Sequence, residues 1–156
     1  MTGKTAGIIL GTVLAGAMAQ AAPADHYTTA DLAAQMDKLK AAAAATGSSS
    51  ETLQQYQNHF TMLSYRNKDG GAELHQRFAD IFFVVRGKAT LVTEGSIPNA
   101  KDESPGEVRG AAVVGGKTAA IEAGDVVHIP AGTPHQLLIS PGDEFLYLVI
   151  KVKEHD

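Results

Sequence analysis

The twelve residues "GDVVHIPAGTPH" (124–135) hold two glycines, two prolines and two histidines inside an otherwise apolar stretch. Glycine and proline set turns, so Pro130 and Gly132 together read as a turn that aims His135. An aimed imidazole needs partners. Upstream, Glu73 and His75 are two residues apart. On a strand that spacing puts both side chains on one side, roughly 7 Å apart along it. A neighbouring strand can then bring His135 opposite them. Two imidazoles with one or two carboxylates form a donor set for Fe(II), Mn(II), Ni(II) or Zn(II). A carboxylate left free beside such a set has the chemistry of a general base.

The spacing Gly124, five residues, Pro130, one residue, Gly132, two residues, His135 resembles the second sequence motif of the cupin family. Only the motif's final asparagine is missing, with Ile139 in its place. The first cupin motif is partly present: Asp80, "IFFVVR" and Gly87 match its tail, His75 falls on the second histidine of H-x-H, and Glu73 on the first. The resemblance runs from about residue 56 to 152. It implies a small all-β jelly-roll barrel of the double-stranded β-helix type. It also implies a metal site of Glu73, His75, Asp80 and His135, with Glu73 or Asp80 as catalytic base. Two departures stand out, a carboxylate for a histidine at 73 and an aspartate for a glutamate at 80. Asp80 is one methylene short, so it reads either as a ligand through water or as a group orienting a histidine. Without it, Glu73, His75 and His135 still form a two-histidine, one-carboxylate face with open positions. In a second register His75 is the first ligand and Arg77 points into the cavity, where a guanidinium would suit an anion.

The remaining histidines read more plainly. His59 and His128 are read as ordinary polar residues of strands, and His26 and His155 as solvated groups near the termini. Tyr65 and Tyr147 read as core aromatics with polar tips. Arg66, Arg77 and Arg86 are candidate ion-pair partners for Glu73 and Asp80.

The elements that must hold this set follow from the rest of the pattern. The chain has 156 residues, 44% of them apolar, enough for one domain with its own core. "MTGK", the apolar "AGIILGTVLAGAMA" and the small residues of "AMAQAA" read as a secretory leader, cleaved after Ala21 or after Ala19. A periplasmic or secreted protein follows, with no stable membrane insertion once the leader is gone. There is no cysteine, so the core must supply the stability that disulfides often give exported proteins, with a metal as a further candidate source. Removing residues 1–21 takes away Lys4 and no acid. The formal charge then goes from −4 to −5, twelve Lys and Arg against seventeen Asp and Glu. Nucleic acid is thereby excluded as a partner, and a small organic molecule is the expected one.

Residues 22–55 read as a helical segment and linker. Thr28 or Thr29 caps a helix over 29–45, Leu32, Met36 and Leu39 mark its apolar face, Gly47 stops it, and "GSSSE" (47–51) is a hinge. From Tyr56 to residue 156 short β-rich runs alternate with Gly, Pro and Asp turns, as in a sandwich or barrel. The unbroken apolar runs 81–85 and 145–150 read as strands buried on both faces. Residues 95–109 read as a long surface loop placed to cover a barrel mouth. A homodimer through an edge strand or the helix is the expected assembly. The function classes left open are a metal-dependent enzyme, a non-catalytic binder of a small ligand with or without a structural metal, and an exported stress or scaffold protein that uses only the stability of the fold.

Overall fold

A computed structural model describes residues 23–155. The leader assigned to 1–21 lies outside the described residues. Two short helices, α1 (Thr29–Ala34) and α2 (Met36–Ala42), precede the sheet. Thr28 caps α1 through a capping box: the Asp31 amide donates to Thr28 Oγ1 at 3.1 Å, and the Thr28 amide donates to Asp31 Oδ2 at 2.9 Å. The single helix expected over 29–45 is thus two, parted at Gln35. Both present one apolar face, Leu32, Met36, Leu39 and Ala43, to Leu63, Tyr65, Val85 and Leu146 of the sheet.

The hinge read at 47–51 is corrected: its serines open β1 (Ser48–Gln55), which pairs antiparallel with β2 (His59–Arg66) from Ser48–Arg66 to Gln55–Phe60. Serine favours turns locally, but here the inner edge of the segment pairs with β2 and the Ser49 and Ser50 hydroxyls find partners. Ser49 Oγ donates to the Leu39 carbonyl at 2.6 Å, and Ser50 Oγ lies 2.9 Å from Ser64 Oγ. The polar composition suits an edge strand, which β1 is.

The remaining strands are β3 (Ala72–His75), β4 (Phe78–Thr93), β5 (Lys101–Ser104), β6 (Glu107–Gly110), β7 (Lys117–Glu122), β8 (Val126–Ile129), β9 (His135–Leu138) and β10 (Phe145–Lys153). They run in the order β1-β2-β10-β4-β9-β3-β6-β5, with β7 and β8 also paired to β4. The 16-residue β4 serves both halves of the fold. Up to Gly87 it pairs with β10 and β8; from Lys88 onward it pairs with β7 and β9. A register shift against β10 falls just before Gly87, whose φ is +83°. A Cβ there would lie 1.8 Å from the Glu144 carbonyl oxygen, so the corner admits only glycine.

Strand alternation explains the unbroken apolar runs. In β10, Phe145, Tyr147 and Val149 enter the barrel core, whereas Leu146 and Leu148 pack under the helices. In β4, Phe82 and Val84 point inward and Phe83 and Val85 outward. The segment 95–109, expected to be loop, carries the β5–β6 hairpin, and β6 joins the sheet beside β3.

Candidate metal centre

The turn before His135 is tied to the strand that carries His75. The Thr133 amide donates to the Pro130 carbonyl at 3.2 Å, and Gly132 takes φ +76° at the third position, as a type II turn requires. The Gly132 amide donates to the His75 carbonyl at 2.7 Å. One backbone bond therefore joins the two histidine-bearing elements. Across the β3–β9 pair, Glu73 is the register partner of His135.

Three of the four residues expected from the sequence bring donor atoms within 4.8 Å of one another: Glu73, His75 and His135. Glu73 Oε2 is 3.4 Å from His75 Nε2 and 4.0 Å from His135 Nε2. Asp80, the fourth, stands beside them, with Oδ2 at 3.4 Å from His75 Nε2 and 3.7 Å from His135 Nε2. Both imidazoles are buried, 3% and 4% exposed, with ring centroids 5.1 Å apart.

The outer nitrogens decide which way the rings face. His135 Nδ1–H donates to the Thr133 carbonyl at 3.0 Å, and His75 Nδ1–H donates to Glu107 Oε2 at 2.6 Å. With Nδ1 carrying a proton in each ring, it is both Nε2 atoms that face the carboxylates. His75 Nε2 is buried without a hydrogen-bond partner. Its 3.4 Å contacts to Glu73 and Asp80 are longer than a good N–H···O bond. They fit ligands sharing an ion: bonds of about 2.1 Å set adjacent donors roughly 3.0–3.4 Å apart in octahedral or tetrahedral geometry. The residues present therefore suit a divalent metal.

Each carboxylate divides its oxygens between a cation and the histidines. Asp80 Oδ1 accepts from Lys151 Nζ at 2.6 Å while Oδ2 faces the imidazoles. Glu73 Oε1 contacts Arg66 Nη2 at 3.4 Å while Oε2 faces the imidazoles and Arg109 Nη1, at 3.1 Å. Burial would raise the Glu73 carboxyl, but His75, Arg109, His135 and Arg66 outweigh it and hold the group at about 2. Burial raises Asp80 as well, and His75 and Lys151 bring it below its ordinary value. Burial alone would lower His75, whereas Asp80 and Glu73 carry it up to about 9. For His135 burial prevails and keeps the ring neutral to lower pH than usual.

These groups line a cavity of about 350 Å³. Arg66, Lys151, Glu107 and Arg109 reach it as well. Arg66 appeared in the sequence only as an ion-pair partner, and it does pair with Glu73. Glu107 and Arg109 were hidden in the supposed loop. Their two-residue spacing after the Pro105–Gly106 turn was the available signal, and pairing with β3 sets Glu107 opposite His75 and Arg109 opposite Glu73. Lys151 continues the inward alternation of Tyr147 and Val149, all three lining the cavity. Arg77 is exposed, so the register that sends it into the cavity is not the one adopted. His128 is exposed too, and His59 stacks on Tyr56 at 4.4 Å. Tyr65 is core and donates to Glu144 Oε1 at 2.9 Å. The motif's missing asparagine is no gap: Ile139 is buried in the barrel core.

A curled antiparallel sheet, doubled on itself by β4 around a histidine–carboxylate cluster, is the double-stranded β-helix of the cupin fold. The polyketide cyclase RemF from Streptomyces resistomycificus aligns with a TM-score of 0.51 at 17% identity, over 69% of this chain and 66% of its own. KdgF from a Halomonas species gives 0.51 at 16% identity, over 70% and 82% of the two chains. An uncharacterised double-stranded β-helix protein from Klebsiella pneumoniae gives 0.53 at 12% identity, over 70% and 79%. These are likenesses of fold. No family model matches the chain, and neither does any curated protein sequence.

Proposed function

We propose that this chain is an exported cupin-fold protein that holds a divalent metal on Glu73, His75 and His135, with Asp80 beside them, and acts on a small organic molecule in the adjoining cavity. The observation that carries this reading is the buried, unpartnered His75 Nε2, facing two carboxylate oxygens and a second imidazole. Fe(II), Mn(II), Ni(II) and Zn(II) all suit that donor set. The bound ion would supply Lewis acidity toward a substrate oxygen. The chain's own residues do the positioning. Glu107 and the Thr133 carbonyl fix the imidazole tautomers, while Lys151 holds one oxygen of Asp80 and leaves the other toward the cavity. A proton arriving at Asp80 Oδ2 would sit beside a cavity-lining ammonium, the arrangement of a base with a charged neighbour.

One observation favours a second reading, a metal-free binder of a small ligand. Without metal, a protonated His75 between Glu73 and Asp80 balances part of the buried charge, as its elevated pKa reflects. Elemental analysis of the protein, made without affinity-tag histidines, separates the two. Near-stoichiometric metal that His75→Ala and His135→Ala both abolish supports the metal centre. No metal in the wild type after reloading with each of the four ions leaves the binder. Export is tested by N-terminal sequencing of protein recovered from outside the cytoplasm; a first residue of Met1 would sink it.

A further inference from the structure

We infer that the cavity takes a small organic acid with an apolar body, and that Arg66, with the Tyr147 hydroxyl, is the group that recognises its carboxylate. This deepens the function proposed above and rests on the same cavity. Arg66 extends inward from β2 on the face it shares with Phe60, Met62 and Ser64. Its side chain is 18% exposed. Its protein contacts are long: Nε to the Tyr147 hydroxyl at 3.3 Å and Nη2 to Glu73 Oε1 at 3.4 Å. The other two cations of the cavity lie closer to their carboxylates, Lys151 on Asp80 at 2.6 Å and Arg109 on Glu103 at 3.0 Å and Glu73 at 3.1 Å, although Arg109 Nη1 is itself buried without a hydrogen bond. A guanidinium has five N–H donors in a planar fork. The long contacts leave Arg66 with donor capacity the protein does not use well. A ligand carboxylate would displace a 3.4 Å contact and not a tight pair.

A Cβ at residue 70 would lie 2.8 Å from Arg66 Nη1, so the guanidinium packs directly against Gly70. Tyr147 accepts from Arg66 Nε and therefore keeps its own O–H to donate toward the same anion.

Charge points the same way. The ionised side chains lining the cavity are Arg66, Arg109 and Lys151 against Glu73, Asp80 and Glu107, which balance. A divalent ion with neutral imidazoles leaves an excess of two positive charges in the cavity, and an anion offsets it. Away from the charges the walls are Phe60, Met62, Phe78, Phe82 and Val149, a surface for hydrocarbon. The volume of about 350 Å³ lies at the small end of ligand cavities. Glu73 touches Arg66 with one oxygen and the histidine pair with the other, so an acid held by Arg66 lies next to the metal ligands.

The test titrates the full chain calorimetrically with benzoate and hexanoate, each beside its neutral amide, with metal content measured in every sample. In the wild type at least one acid should bind ten-fold or more tighter than its amide. Arg66→Met should erase that preference with metal content unchanged, and Arg66→Lys should keep part of it. Should the methionine variant fail to fold, the wild-type acid-to-amide ratio and the lysine variant decide. The inference is overturned if neither acid binds, if acids and amides bind alike, or if the preference survives in Arg66→Met. An Arg66-dependent preference in a protein that never holds metal would sustain it while removing the metal centre. Stoichiometric metal with no acid preference would do the reverse.

Discussion

The His75 carbonyl accepts the Gly132 amide at 2.7 Å, so the strand bearing one histidine of the site and the turn aiming the other are a single hydrogen-bonded unit. Neither imidazole can shift far without loosening the other. The His75→Ala and His135→Ala variants should therefore each lower bound metal from near one ion per chain to below about a tenth, with no partial phenotype for either. Elemental analysis after exhaustive dialysis reads this directly. Full retention in either variant would remove that residue from the site.

Glu107 is the next link outward. It holds His75 Nδ1 at 2.6 Å and touches no other imidazole. Glu107→Gln keeps an acceptor but loses the charge. It should weaken metal binding by about 10- to 100-fold, the usual range for partners that orient a ligand. Chelator competition measures the shift; an unchanged affinity would show that Thr133 and the sheet suffice to set the rings.

Protonation gives a third expectation. With its pKa raised to about 9, His75 is charged at neutral pH in the metal-free protein. The stability it contributes is complete below its ordinary value near 6.5 and is lost as pH rises through about 9. A metal needs the neutral ring, so uptake at pH 7 should release about one proton, and affinity should climb about ten-fold per pH unit up to about 9. Calorimetry in buffers of different ionisation enthalpy counts the proton; a count of zero would contradict it. At the acid end the sign reverses. Glu73, held at about 2, contributes stability above its ordinary 4.5 that is lost as pH falls toward about 2.

The helices offer a test independent of metal. Leu39 is 3% exposed and packs, with Met36 and Ala43, on Leu63 and Leu146 of the sheet. Leu39→Ala should cost about 2–5 kcal/mol, read as a lowered thermal midpoint. A midpoint within a degree of the wild type would mean that the helices ride on the barrel without stabilising it.

Gly87 tests the corner of β4. With φ at +83° and the Glu144 carbonyl oxygen 1.8 Å from any Cβ, Gly87→Ala must move backbone, and it should destabilise by more than about 1 kcal/mol. Denaturant titration would show it; a neutral result would mean that the β10 edge yields easily.

What the sequence determined by itself was local. Turn residues at Pro130 and Gly132, the two-residue step from Glu73 to His75, and the apolar runs at 81–85 and 145–150 carry their meaning in spacing and residue type. They pointed to an all-β barrel and to Glu73, His75 and His135, with Asp80 added by the resemblance to the cupin motif, and all four line one cavity. Tertiary structure decided the rest, because pairing partners distant in sequence override local preference. Serines 48–50 read as a hinge until β2 offers their backbone a ladder. Glu107 and Arg109 read as loop until β3 takes them into the sheet and turns them on His75 and Glu73. Arg66 and Lys151 are unremarkable basic residues in sequence, and only the closing of β2 and β10 around the cavity gives one a loosely held fork and the other a carboxylate to hold.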